Sequence, residues 1–572
     1  MIQNHPVYTV RNECQDCCKC LRHCPVKAIK VQDGRAEVMA RRCIGCGRCV
    51  LECPGRAKRI RSDVDKAASL LSAGKQVFVS LAPSWRSFFD CGEAALIARL
   101  KGLGVSEVSE TALSAQDVSI QTASVLRQGP PGLYVSSACP VIVDFIKLYK
   151  PRFARNVVPL ASPALTHAWA LKKLRGEDVE VVFVGPCVGK KNEADRRPDL
   201  LSAALTFQEL EDWLSLTERP AATDRNFSFF PARASEGAQY PLEGGMNETL
   251  RRIGVDDDVQ LVSISTIEAF EKALDHLDPA DMRRKIFVEA LACPGGCIAG
   301  PFAGSKKSVF RKMNDILDNM TYRETIPETP DFRLPADHES LGLNVPSFTA
   351  EEMQGALNRI GKYSDEDEKN CSGCGFSTCR ELAQALLNGY AEPSMCVSYM
   401  RQLAARKAAV MLRVMPSALV MVDRELNIME VNEAFIRMFA KDAPGTGWNA
   451  PEDFVGEPVG EWLEFAHLFK KVLKTGQEVQ KEHVSYKKRL FDMAFFCIER
   501  NECAGALVTD VTVSESGREK IARRAREVIA RNISTVQEIA GLLGEHMAET
   551  EMLLESIAEG YDVLDDEEPG ED

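Results

Sequence analysis

Sixteen of the twenty cysteines in this 572-residue chain stand at spacings that present thiols in groups. Two runs before residue 55, Cys14-Cys17-Cys20-Cys24-Pro25 and Cys43-Cys46-Cys49-Cys53-Pro54, share the spacing C-x2-C-x2-C-x3-C-P. Three thiols so close together can face one polynuclear metal cluster while the proline turns the chain away. A pair of zinc knuckles would need two C-x2-C elements across a loop, not a third and fourth cysteine at these offsets. Cys18 is left as a spare. Four more cysteines, Cys139, Cys187, Cys293 and Cys297, are spread over about 160 residues, each beside or near proline or glycine, as loops that present ligands would be. One such cysteine is an ordinary buried side chain. Four of them after a doubled cluster are hard to explain as packing. A last set, Cys371, Cys374, Cys379 and Cys396, has the spacing C-x2-C-x4-C-x16-C. The chemistry implied is metal ligation and electron transfer in a reducing compartment, not a secreted disulfide framework.

The elements that must position these groups follow from composition and periodicity. The expected class is multidomain α/β and α+β. Residues 1–62 hold the doubled run. Residues 63–345 alternate apolar strands, such as QVFVSLAP and VEVVFVGPC, with helical stretches, such as LTHAWALKKL. Residues 346–410 form a small helical segment in which a helix from about Arg380 to Asn388 returns the chain to Cys396. Residues 411–514 mix short strands with a helix, residues 515–561 read as one periodic helix, and residues 562–572 are an acidic tail. The net charge of −13 disfavours nucleic acid, whose binding needs a surplus of Lys and Arg. The N-terminal MIQNHPVYTVRNEC lacks the pattern of a signal peptide, and no run of apolar residues is long enough to span a membrane, so a cytoplasmic location without membrane partners is expected. None of the eight histidines pairs at ligand spacing; each reads as a surface or core residue.

The doubled run resembles the bacterial two-cluster ferredoxins, in which the fourth cysteine of each run ligates the other cluster. The resemblance implies one [4Fe–4S] cluster on Cys14, Cys17, Cys20 and Cys53, and a second on Cys43, Cys46, Cys49 and Cys24. The segments SSACPVIVDF, GPCVGKKNEADR and EALACPGGCIAGP resemble the three signature loops of the iron-only ([FeFe]) hydrogenases, a likeness that covers about residues 1–345. It implies an H-cluster, a [4Fe–4S] cube joined through one thiolate to a diiron unit with CO, CN and azadithiolate ligands. Cys139, Cys187 and Cys293 would hold the cube and Cys297 would bridge to the diiron unit. Lys190 would hydrogen-bond a cyanide, Glu193 would hold Lys190, and Ser84 and Pro186 would contact the cofactor. Hydrogen gas and protons would be its partners.

The departures from that pattern carry as much information. Catalytic members have a proton-relaying cysteine just before the first ligand; here it is Ala138, and a methyl group carries no proton. Between Asp117 and Cys139 there is no Asp or Glu, where the family tends to carry carboxylates. Gly185 and Leu291 stand where methionines are usual, and Ala164 where glutamine is common. A positioned acid or base contributes about 10²–10⁴-fold in rate, so slow turnover is expected. Lys190, Glu193 and the complete head argue against the related cytosolic iron–sulfur assembly protein. A nickel–iron hydrogenase would need two C-x2-C pairs near opposite ends of its catalytic chain.

The third cysteine set resembles a small [4Fe–4S] domain of redox and corrinoid proteins, giving three [4Fe–4S] clusters outside the H-cluster. The stretch Met415 to Phe439 resembles the start of a PAS domain, with Asp423 and Asn432 fixing the turn and helix entry, and GALVTDVT resembles its closing strand. The final helix carries Ile529, Ile533, Val536, Ala540, Leu543, Met547, Thr550, Leu554 and Ile557 at alternating four- and three-residue steps, the seam of a coiled coil and hence of a homodimer. The other arrangement open to it is packing on its own PAS domain. The resemblances together imply a hydrogen sensor of low hydrogenase activity. The alternatives are a catalytic hydrogenase regulated by its PAS domain, or an electron carrier or scaffold without the diiron unit.

Overall fold

The structure is a computed structural model and describes residues 5–217, 227–255, 259–304, 306–344, 346–440, 450–486, 489–512 and 518–561. The expected acidic tail lies outside the described residues. The chain divides into two compact units, Met1–Glu392 and Pro393–Asp572, so the division falls inside the expected 346–410 segment. Among the described residues no helix is long and apolar enough to cross a membrane.

The first unit is built on two parallel sheets. One has four strands in the order Glu107–Glu110, Val77–Leu81, Glu180–Gly185, Ala203–Thr206; the other has three, Val259–Ser265, Lys285–Leu291, Gly132–Val135. Parallel strands covered on both faces read as continuous apolar runs rather than alternating ones. Val77–Leu81, with all five residues buried, is such a strand. Its neighbour Glu180–Gly185 is buried at all but one position, and Ala203–Thr206 beyond it is buried throughout. The helices Ala112–Gln128 and Pro163–Arg175 pack on each other, and the second also packs on Val77–Leu81.

The N-terminal head adds two antiparallel pairs, Val7–Thr9 with Lys58–Ile60 and Ile29–Gln32 with Arg35–Val38. Each cysteine run continues into one helical turn, Lys19–Arg22 and Arg48–Leu51. Those turns are entered through left-handed residues, Cys18 at φ 53° and Gly47 at φ 78°. Glycine takes that conformation without strain; Cys18, the spare thiol, bears the cost of it.

The second unit has a five-stranded antiparallel sheet in the order Ile428–Val431, Ala418–Asp423, Cys503–Asp510, Arg489–Glu499, Val479–Tyr486. Alternation along the strands sorts its two faces. Val420, Val422, Phe491, Met493 and Phe495 fill one core, while Leu419, Ala494, Phe496 and Leu507 fill another on the opposite face. Asp423 Oδ1 accepts the N–H groups of Glu425 and Asn427, and Asn432 Oδ1 accepts those of Leu419 and Phe435, so both residues set the turn and the helix entry as expected.

The last helix, Arg518–Tyr561, corrects part of the coiled-coil expectation. Ile529, Ile533 and Val536 pack against Leu419, Phe496 and Leu507 of the sheet in their own chain. An open apolar sheet face within reach is a nearer partner than a second chain. The side chains of Leu543, Leu554 and Ile557 lie outside those described, and Met547 is exposed.

Candidate metal centre

Every cysteine loop of the central α/β domain begins at the C-terminal end of a parallel strand. Gly132–Val135 leads to Cys139, Glu180–Gly185 to Cys187, and Lys285–Leu291 to Cys293 and Cys297; Val77–Leu81 leads to Ser84. Open α/β sheets place ligands just beyond their strand ends. The two sheets aim these ends at one cavity, and Ser84, Cys139, Pro186, Cys187, Cys293 and Cys297 all line it. Glycines keep the loops close to the sulfurs. A Cβ on Gly189 would stand 2.8 Å from Val141 and 3.5 Å from Cys187 Sγ, and one on Gly300 would stand 3.1 Å from Cys293 Sγ.

Burial raises the pKa of all four thiols. Lys190 opposes the rise at Cys139, Cys187 and Cys297, while neighbouring thiolates add to it at Cys187, Cys293 and Cys297. Four buried sulfurs that repel one another as anions suit a cationic cluster shared between them. Ser84 Oγ is buried without a hydrogen-bond partner among the described residues. The donor set and this orphaned hydroxyl fit a bound iron–sulfur group. Among the described residues no three His, Cys, Asp or Glu side chains close on a single ion. A cubane cluster seats each thiolate on a different iron, so its ligands stand wider than those of one ion.

Lys190 lines the same cavity. Its ammonium donates to Glu193 Oε2 at 2.6 Å and to Ser162 Oγ at 3.0 Å, and both members of the ion pair are buried. Two of three N–H groups are thereby held, leaving one for the cavity. Ala138 also lines the cavity, where its methyl presents no titratable group.

Two features were not visible in the sequence. Phe183 fills the room beside Gly185: a Cβ there would come within 2.6 Å of the Phe183 ring and 2.8 Å of Ala82. The glycine is therefore a space exchanged with a neighbouring aromatic, two residues away on the same strand. The second is Glu289, on the cavity wall, whose carboxyl accepts the N–H groups of Met246 and Asn247 and the Ser263 hydroxyl. Burial pushes its pKa up to about 7. It lies in the third cysteine segment, and only the sheet register turns it inward.

In the head, the thiols of Cys17, Cys14 and Cys53 add to the rise in pKa at Cys20, and those of Cys43, Cys46, Cys24 and Cys20 to the rise at Cys49. Cys46 also lines the central cavity. The second run is fastened there by close contact: a Cβ on Gly45 would stand 2.7 Å from Asn192, and one on Gly47 2.9 Å from Phe302. Arg48 forms a two-pronged ion pair with Glu268, and Tyr149 donates to Arg42 O at 2.6 Å.

The third cysteine set starts the helix Cys379–Leu387, one residue earlier than expected. Its loop packs on the head: a Cβ on Gly375 would stand 3.0 Å from Leu21, Val31 N donates to Tyr390 O at 2.8 Å, and Asp33 N donates to Glu392 at 2.6 Å. Cys371, Cys374 and Cys379 belong to the first unit and Cys396 to the second.

Fold and site together define an iron–sulfur protein whose central α/β domain presents four cysteines to one cavity. Residues 75–301 match the C-terminal domain of the iron-only hydrogenase large chain. Residues 6–54 match a 4Fe-4S dicluster domain, and residues 367–398 a putative Fe-S cluster domain that spans all four cysteines of the third set. These matches support the [FeFe]-hydrogenase family. Iron hydrogenase 1 of Clostridium pasteurianum is 24% identical over 301 residues, 42% of this chain and 52% of that protein, so the chain spans about half the length of the curated relative it matches. A solved variant of the [FeFe]-hydrogenase HydA1 from Chlamydomonas reinhardtii is 18% identical, with 50% of this chain and 100% of that one covered and a TM-score of 0.38. The PAS domain of nitrogen regulation protein NR(II) from Vibrio parahaemolyticus is 13% identical over 18% of this chain and 97% of its own, with a TM-score of 0.15.

Proposed function

We propose that this chain is a hydrogen-sensing member of the [FeFe]-hydrogenase family with low turnover. The observation that carries the reading is a cavity lined by four cysteines and a lysine, with a methyl group at the expected relay position. Cys139, Cys187, Cys293 and Cys297 line it with Lys190, and Ala138 stands where a proton-carrying thiol is needed. Cys139, Cys187 and Cys293 would hold the cube of an H-cluster, Cys297 would bridge it to the diiron unit, and Ser84 and Pro186 would contact it. When bound, that group supplies the iron at which hydrogen and protons interconvert.

The protein's own part is to hold and isolate. Lys190 gives a fixed cationic donor, strongest toward an anionic ligand, and Glu193 keeps it in place. The apolar wall of Ala82, Phe183 and Leu291 excludes water. Each hydrogen molecule oxidised yields two protons and two electrons. Cys24, Cys43, Cys46 and Cys49 would hold a second cluster, which would supply an electron carrier beside the cavity, since Cys46 is part of its wall. Cys14, Cys17, Cys20 and Cys53 would hold one further cluster and Cys371, Cys374, Cys379 and Cys396 another, each supplying an electron carrier. The antiparallel sheet of the second unit serves as a PAS output domain, supported by its five-strand order and by Asp423 and Asn432 at its first turn. The remaining length of the last helix makes a homodimer in the cytoplasm.

Infrared spectra of the anaerobically matured protein under argon and then hydrogen test the reading. CO and CN bands that shift reversibly with the gas are expected. Their absence after full maturation would overturn it and favour an electron carrier without the diiron unit.

A further inference from the structure

The strand Val77–Leu81 is wholly buried, and its one polar residue is Ser80. Ser109 stands directly across from it on the neighbouring strand. Between the two serines lies His167, from the helix Pro163–Arg175. Its Nδ1 is 2.7 Å from Ser80 Oγ and its Nε2 is 2.9 Å from Ser109 Oγ. Ser80 Oγ is also 2.8 Å from Thr111 Oγ1. All four side chains are buried.

An unbroken file of three hydroxyls and one imidazole thus crosses a core whose neighbours are Val79, Leu81 and Val108. Apolar side chains would fill that space without the desolvation cost of polar ones. The file also touches two separate spaces, which a merely satisfied core histidine need not do. Thr111 lines the central cavity, while His167 lines a separate cleft between the helices Ala112–Gln128 and Pro163–Arg175. The charged groups of that cleft are Asp117, Asp331 and Arg323. Burial lifts the Asp117 carboxyl to about 6, within reach of neutral-pH proton exchange. The same burial lowers the His167 ring to about 3, so the ring is neutral and passes a proton rather than storing one.

We propose that Thr111, Ser80 and His167 conduct protons between the cofactor cavity and this cleft, with Ser109 orienting the ring, in place of the thiol that Ala138 lacks. The proposal rests on the hydrogen-binding reading of the cavity. Thr111 takes one proton from the cavity as its own passes to Ser80. The Ser80 proton passes to Nδ1, and the Nε2 proton leaves through water of the cleft that His167 lines, to its carboxylates, while Ser109 holds the ring between transfers. One O–H or N–H bond breaks for each that forms, no electron moves, and rotation of the hydroxyls with a change of tautomer resets the file. Glu289 also lines the cavity, but its carboxyl already accepts three hydrogen bonds where the helix Gly245–Arg252 begins.

The test uses matured full-length protein carrying Thr111→Val, which keeps the shape and removes the hydroxyl. CO and CN bands in the unsubstituted protein establish the cofactor, so their absence there would fail the functional reading and not this one. With bands present, Thr111→Val is expected to reach the same band pattern under hydrogen, at least tenfold more slowly after a switch of gas. Thr111→Ser restores the native rate, and Ala138→Cys added to Thr111→Val restores it by a second route, which a folding defect would not allow. Native rates in both Thr111→Val and Ser80→Ala would overturn the proposal. So would slowing by Glu289→Gln with none by Thr111→Val.

Discussion

Ala138 and Lys190 set the expectations that belong to single residues. If the methyl of Ala138 limits proton delivery, Ala138→Cys raises viologen-linked hydrogen evolution by about 10²-fold or more, since a positioned acid or base contributes about 10²–10⁴. An unchanged rate would place the limit elsewhere. Lys190→Met strands Glu193 without its cation, and breaking a buried pair costs about 3–5 kcal/mol. Thermal unfolding of the unmatured variant is expected to show that loss, and infrared bands are expected to be absent after maturation. Asp117 gives a pH signature. Burial raises its carboxyl from 3.8 to about 6, so folding favours the protonated form. Its contribution is fully present below pH 3.8 and is lost as pH rises through about 6. At neutral pH the ionised form costs about 3 kcal/mol, since each tenfold change in proton affinity on folding is worth about 1.36 kcal/mol. Asp117→Asn keeps an acceptor for Asp331 N and is expected to raise stability at neutral pH and to flatten its fall across the interval between those two values, read by denaturant titration.

At the scale of elements, the turn Cys43–Cys49 is where head meets core. Gly47 needs both its left-handed φ and the absence of a Cβ, which would come within 2.9 Å of Phe302. Gly47→Val pushes this turn off the cavity wall to which Cys46 contributes. The expected result is weaker magnetic coupling between the second cluster and its neighbours in electron paramagnetic resonance, with the iron content of the head unchanged. Native coupling would mean that the turn does not set the distance. In the second unit, the helix Arg518–Tyr561 and the outer sheet face form one core. Val536→Asp places a carboxylate against Leu419 and Phe496 and is expected to cost on the order of 3 kcal/mol in the unfolding of that unit. A shift of dimer association without loss of stability would instead assign Val536 to an intermolecular seam.

For the molecule as a whole, the cysteine groups form an order of adjacency within the first unit. The central cavity shares Cys46 with the second run of the head, and the head in turn receives the third cysteine loop at Leu21 and Val31. Cys371, Cys374 and Cys379 therefore stand in a loop that meets the head, and none of the three lines the cavity. Ion pairs of Arg61 with Asp63 and Asp195 hold the head to the core, and Lys191, next to Lys190 in sequence, joins that Asp63 to Glu209. Adjacent lysines thus divide the work, one facing the cavity and one holding the carboxylate that receives Arg61.

What the sequence by itself determined was the chemistry that depends on local spacing. Thiols three residues apart, such as Cys14, Cys17 and Cys20, can face a common centre, Asn432 can cap only the helix that follows it, and a methyl at 138 is legible without coordinates. The apolar runs of the central strands, alternating with helical stretches, likewise announced an α/β domain. The tertiary structure decided what depends on partners distant in the chain. Glu289 turns toward the cavity only because its strand pairs in one register, and Phe183 explains Gly185 only once both rest against Ala82. His167, unremarkable as a lone histidine, joins Ser80, Ser109 and Thr111 only when two strands and a helix meet. The start of the last helix's seam, Ile529, Ile533 and Val536, took the second of its two expected partners for the same reason: a four–three apolar spacing records that a face will be covered, while the covering surface is fixed by which apolar face the fold leaves open.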